Sequence, residues 1–79
     1  MERTFLQELT NNRKEIYITY KREKDEMIKT YHLEPVDIKS EILKDGSHEL
    51  YLFAIKLPKG LVTKPKIQKF ILKRIISAH

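Results

Sequence analysis

The run Glu49-Leu-Tyr-Leu-Phe-Ala-Ile-Lys-Leu57 constrains this chain more than any other stretch. Side chains alternate along an extended segment, so Leu50, Leu52 and Ala54 fall on one side and Tyr51, Phe53, Ile55 and Leu57 on the other. A segment that is apolar on both sides must be covered on both, which makes it a central strand. A second run, Phe70-Ile-Leu-Lys-Arg-Ile75, puts Phe70 and Leu72 on one face and Ile71 with Lys69 and Lys73 on the other. That pattern predicts a strand with one face on the core and the other largely in water.

The remaining elements follow in chain order. Thr4-Phe-Leu-Gln7 has capping-box spacing and predicts a helix over about 4–12, with Phe5, Leu6 and Leu9 on one side. Asn11-Asn12 would end it in the left-handed conformation, and the helix would cover an open end of a barrel. Glu15 to Lys21 alternates, with Ile16, Ile18 and Tyr20 inward and Tyr17 and Thr19 outward, and reads as a first strand. The charged run Arg22-Glu-Lys-Asp-Glu26 reads as a solvated connection whose opposite signs cancel, leading to a second strand over about Met27–Leu33.

Pro35 donates no ladder hydrogen bond and predicts a bend before a third strand, Val36–Leu43, with Asp37, Lys39 and Glu41 in water. Asp45-Gly46 predicts a two-residue type I′ hairpin pairing that strand with the central one. The stretch from Pro58 to Lys66, with two prolines and a glycine, predicts an exposed loop onto which Leu61 and Val62 dock back. With Lys56, Lys59, Lys64 and Lys66 it is strongly basic. The residues after Ile75 are too few for another unit, and His79 is expected to fray.

Seventy-nine residues make one domain, residues 1–79, with a small core. No cysteine is present, so neither a disulfide nor a thiolate metal site adds to that core, and three scattered histidines have no zinc-ligand spacing. No cofactor and no metal are expected. Without a leader or an apolar run of roughly 18–20 residues, the expectation is a cytoplasmic protein with no membrane role.

Charge is polarised along the chain. Residues 1–49 carry nine Lys/Arg against eleven Asp/Glu, whereas residues 50–79 carry seven Lys/Arg and no acid. A one-sided positive field is the footprint of a surface that meets anions such as nucleic acid. The competing account is solubility, since a small domain needs surface charge of some kind.

Glu34-Pro35, Leu50-Tyr51-Leu52-Phe-Ala54 and Phe70-Ile-Leu-Lys-Arg74-Ile75 together resemble the WYL domain, which is named for a Trp-Tyr-Leu tripeptide in its middle strand. Leu50 stands where the tripeptide has Trp, and Ile71 and Lys73 stand where the family's closing segment has Arg and Asp. Tyr31 and His32 fall where family members often carry Arg. The resemblance implies a mainly β fold, a small SH3-like or Sm-like barrel of about five antiparallel strands (about 15–75) with one short N-terminal helix. It also implies a ligand-sensing regulatory module, of the kind attached to helix-turn-helix units in bacterial transcription regulators and defence-system proteins, responding to nucleic acid or nucleotide. At this length it would be a free-standing sensor or accessory module, or an excised domain.

No constellation of nucleophile, base and stabilising group points to an enzyme. A small RNA-cleaving toxin fits poorly, because Arg74 is the only arginine in the last 50 residues. Binding is the better class. The candidate ligand residues are Tyr20, Tyr51, Lys66, Lys69, Lys73 and Arg74, rings to stack bases and cations to neutralise a single-stranded backbone. Tyr51 reads equally as a core tyrosine, and Arg74 equally as a strand-end arginine or as the family's anion-contacting one. The expected partner is a nucleic acid or nucleotide, single-stranded by preference. The alternative is a protein-interaction or oligomerisation barrel that pairs through its sheet edges with a second copy or a regulator protein.

Overall fold

The computed structural model describes residues 3–12, 14–57 and 66–79. Helix α1 (Arg3–Asn11) is followed by β1 (Ile16–Lys21), β2 (Ile28–Ile42), β3 (His48–Lys56), β4 (Ile67–Ile71), one 3-10 turn (Leu72–Arg74) and β5 (Ile75–Ala78). The strands form a single antiparallel sheet in the order β4-β3-β2-β1-β5.

That order forces the sheet to curl. β4 and β5 are its two edges, four strand spacings apart, which would be about 19 Å if the sheet were flat. Only the three residues of the 3-10 turn join them, and four Cα steps reach about 14 Å even when fully extended. The edges must therefore approach each other, and the result is the small barrel-like fold expected from the sequence. Its interior is one cluster: Leu6 from α1, Ile16, Ile18 and Tyr20 from β1, Leu33 and Ile38 from β2, Leu52 and Ala54 from β3, and Phe70, Leu72 and Ile75 around the closing turn.

Several elements differ from the sequence-based expectation. The two strands expected on either side of Pro35 are one strand of 15 residues, whose first part pairs with β1 and whose later part pairs with β3. Pro35 is buried within it, and the register shifts between Pro35 and Asp37. Val36 is the extra residue of a β-bulge, so the inward set changes from Leu33 and Pro35 to Ile38, and Val36 itself is turned out. The bulge lets a residue with no amide proton sit inside a sheet.

Phe70–Ile75 is likewise not one strand. The 3-10 turn separates β4 from β5, an element the sequence pattern does not reveal, and β5 pairs with β1. His79 is tied down rather than frayed: its amide donates to Tyr17 O at 3.0 Å and its carbonyl accepts from Tyr17 N at 2.8 Å. On the outer face the Tyr17 ring stacks on His32 and on His79, at centroid distances of 4.3 and 5.7 Å, and His32 Nε2 lies 3.1 Å from Glu15 Oε2.

At the β2–β3 connection Gly46 alone of the pair has positive φ, at 86°. Gly46 N donates to Leu43 O and Leu43 N to Ser47 O, so the loop is longer than a type I′ turn and ends on a left-handed glycine. The helix begins before Thr4, which is therefore no cap. Among the described residues neither Asn11 nor Asn12 has positive φ. Phe5 is exposed, and the buried stripe of α1 is Leu6 and Thr10, whose hydroxyl donates to Leu6 O at 2.7 Å.

On β3 the inner face is buried as expected, but among the described residues the outer face has no second layer. Tyr51, Phe53 and Ile55 are half-buried there, roofed in part by lysine side chains. The loop expected over 58–66 lies outside the described residues except for Lys66, which is exposed. Among the described residues no helix is long and apolar enough to cross a membrane.

Candidate ligand-binding cleft

The antiparallel register brings together charges that the sequence keeps apart. Lys69 on β4 reaches Glu41 on β2, with Nζ to Oε2 at 2.7 Å, and its ammonium lies 4.7 Å from the centre of the Tyr51 ring. Lys73 in the 3-10 turn pairs with Glu49 at 3.3 Å. Arg74 places both terminal nitrogens 3.3 Å from the two carboxylate oxygens of Glu26, and also donates to the Lys21 carbonyl at 3.1 Å. Each of these basic residues is thus matched by an acid from the first 49 residues. The three sit on different parts of the barrel: the outer sheet face, the mouth near α1 and the β1–β2 connection. The continuous basic surface expected of the C-terminal half does not form from them.

Tyr20 is placed differently from its expected role. Its ring is buried, edge-on to Phe70 at 5.2 Å and to Tyr31 at 6.3 Å. Its hydroxyl donates to Glu23 Oε1 at 2.7 Å and accepts from Ile71 N at 3.0 Å. Burial, reinforced by the Glu23 hydrogen bond, pushes the phenol up to about 12. Tyr20 is a closing strut of the barrel, with no open ring face for stacking.

The connection Arg22–Glu26 is structured rather than loosely solvated. Glu26 adopts positive φ (59°), Arg22 N donates to Met27 O at 2.9 Å, and Arg22 grips Asp25 with two guanidinium nitrogens. The Met27 amide, and then Arg22, hold the Asp25 carboxyl below the usual range. The Arg74 hydrogen bonds do the same for Glu26.

Fixed in this way, the connection forms one wall of a cleft of about 190 Å³, opposite the edge of β4. Tyr20, Arg22, Glu23, Lys24 and Tyr31 line one side and Gln68, Lys69 and Phe70 the other. Tyr31 is the half-buried ring of this site. Lys56 Nζ stands 4.9 Å and Lys29 Nζ 5.5 Å from its centroid. Unlike Lys69, Lys73 and Arg74, these two cations form no ion pair among the described residues. A larger cleft of about 320 Å³ lies between Arg3, His48, Glu49, Leu50, Leu72 and Lys73. It holds no tyrosine or phenylalanine, and its lysine is engaged by Glu49.

Of the six residues singled out from the sequence, Tyr20 and Lys69 line the smaller cleft, and Tyr51, Lys66, Lys73 and Arg74 do not. Lys29, Lys56, Arg22 and Lys24 were not among them. Lys29 and Lys56 converge on Tyr31 only because β2 continues to the level where β3 ends, Leu33 lying opposite Lys56. Among the described residues no group of three or more metal-ligating side chains could hold an ion. Comparison with models of protein families, with curated proteins and with solved structures returned no match.

Proposed function

We propose that this barrel is a binding module for a nucleotide or single-stranded nucleic acid, seated at Tyr31 in the cleft between β4 and the β1–β2 connection. One observation carries the reading: two ammonium groups, Lys29 and Lys56, which form no ion pair among the described residues, stand over Tyr31, a half-buried ring in the wall of a cleft that Glu23 also lines. Once the lysine side chains swing off its face, such a ring stacks a base of any identity, and the displaced cations meet the phosphate. Lys24 adds a further cation to the rim, where Arg22 is held by Asp25 and Glu23 accepts from Tyr20. The resemblance to WYL domains favours the same ligand class and a sensing role.

Fluorescence anisotropy of a labelled single-stranded oligonucleotide, with nucleoside phosphates as competitors, tests this. Affinity should fall steeply with salt. Replacing Lys29 and Lys56 together by Ala should lower the logarithmic salt slope by about 0.7 for each phosphate that is no longer neutralised. Tyr31→Ala should weaken binding with little dependence on sequence. No binding at low ionic strength, or full binding by the Tyr31 variant, rejects the site.

A further inference from the structure

We infer that the outer face of β2-β3-β4 is the interface of a two-fold symmetric dimer of this chain, with the two β3 strands packed face to face. The inference concerns the outer sheet face, which shares Lys69 with the rim of the cleft, and it stands whether or not a nucleotide binds there. Its starting point is β3. Tyr51, Phe53 and Ile55 alternate with the core residues Leu52 and Ala54, yet among the described residues only side chains of the same sheet pack on their side. Val36 and Ile67, at 42% and 50% exposure, extend the apolar area on either side.

The ladder register identifies the occupant. Asp37 pairs with Phe53 and Phe53 with Lys69, so these three side chains form one row across the outer face, acid at one end and cation at the other. A two-fold axis running along β3 lays a second copy over this face with β2 opposite β4. Phe53 then meets Phe53, and each Lys69 meets the other copy's Asp37. Both ion pairs form at once, as an isologous interface requires. A two-fold axis perpendicular to the strands would instead oppose Lys69 to Lys69 and Asp37 to Asp37, so this row favours the axis along β3. Existing partners do not prevent this. Among the described residues the one cation at Asp37 is Lys39, at 4.0 Å, and the Lys69–Glu41 pair is partly exposed, so exchanging either costs little. Aligned face-to-face packing of twisted sheets is an ordinary arrangement.

Analytical ultracentrifugation of the full chain over a concentration series up to the millimolar range is the test. The wild type should be a monomer–dimer equilibrium. Phe53→Glu, which places a carboxylate between Lys39 and Lys69, should be monomeric with an unchanged far-UV circular dichroism spectrum. D37K and K69D should each weaken association by at least about tenfold through like-charge opposition, and the double reversal D37K/K69D should restore it. A wild type that stays monomeric at every concentration overturns the proposal. A dimer indifferent to Phe53→Glu, or single reversals that the double variant fails to rescue, also overturns it.

Discussion

The amide of Ile71 on β4 donates to the hydroxyl of Tyr20 on β1 at 3.0 Å, joining two strands that share no ladder. The same hydroxyl passes its own proton toward Glu23 at 2.7 Å. One side chain therefore satisfies a backbone donor on the sheet edge, spans the closing seam of the barrel and anchors the start of the β1–β2 connection.

Replacing Tyr20 by Phe keeps the ring and removes the strut. The variant should fold, and should lose about 1–3 kcal/mol in urea denaturation because the Ile71 amide is left without an acceptor. The wild type should also show an alkaline signature. Tyr20 is raised to about 12 in the fold against 10.0 when exposed, so its contribution is complete below pH 10 and is lost as pH rises from there to about 12. Thermal midpoints measured across that window should fall more steeply for wild type than for Tyr20→Phe.

Acid acts on a different set of groups. Hydrogen bonds from Arg74 hold Glu26 below the usual carboxylate range. The Met27 amide, then Arg22, do so for Asp25, and the Ser47 hydroxyl, then its amide, for Asp45. These contributions are present above the ordinary carboxylate pKa and disappear as pH falls through the lowered values. Urea midpoints taken from about pH 6 down to about pH 2 should decline, and Glu26→Gln should decline less over that range.

Leu52 is fully buried at the centre of the sheet, between Ile38 on β2 and Phe70 on β4. Leu52→Ala should cost about 2–5 kcal/mol, the lost transfer energy plus the cavity. In a domain whose whole stability is on the order of 5 kcal/mol, calorimetry should find the variant partly unfolded near 37 °C.

Gly46 isolates a backbone effect. No atom lies within 4 Å of where its Cβ would be, so packing raises no objection to alanine. The φ of 86° does, and Gly46→Ala should lower stability by about 1 kcal/mol in urea titration with the core spectroscopically unchanged.

What could be read from the sequence divides along physical lines. Period-two alternation marks Ile16, Ile18 and Tyr20 as inward on β1, and Leu52 and Ala54 as inward on β3, because in those strands local order and burial coincide. Pro35 misleads because its missing amide proton argues for a strand end, while a single extra residue, Val36, absorbs it inside the sheet. The four residues of β5 carry too little pattern to be recognised alone, and only their pairing with β1 makes them a strand. The site was harder to see. Summing charge over Leu50–His79 produces a basic half, but register, which no single segment encodes, sets Lys69 against Glu41, Lys73 against Glu49 and Arg74 against Glu26. The same register leaves Lys29 and Lys56 together at Tyr31, from segments that look unremarkable apart.

The long second strand has a consequence for folding. β2 supplies the ladder partner of β1 with its first residues and that of β3 with its later ones, and Leu33 serves both. Neither flanking hairpin can therefore be excised with a complete set of neighbours. A protease nick in the middle of β2 should release no stable fragment, and hydrogen exchange should find the amides of both halves opening together as one cooperative unit.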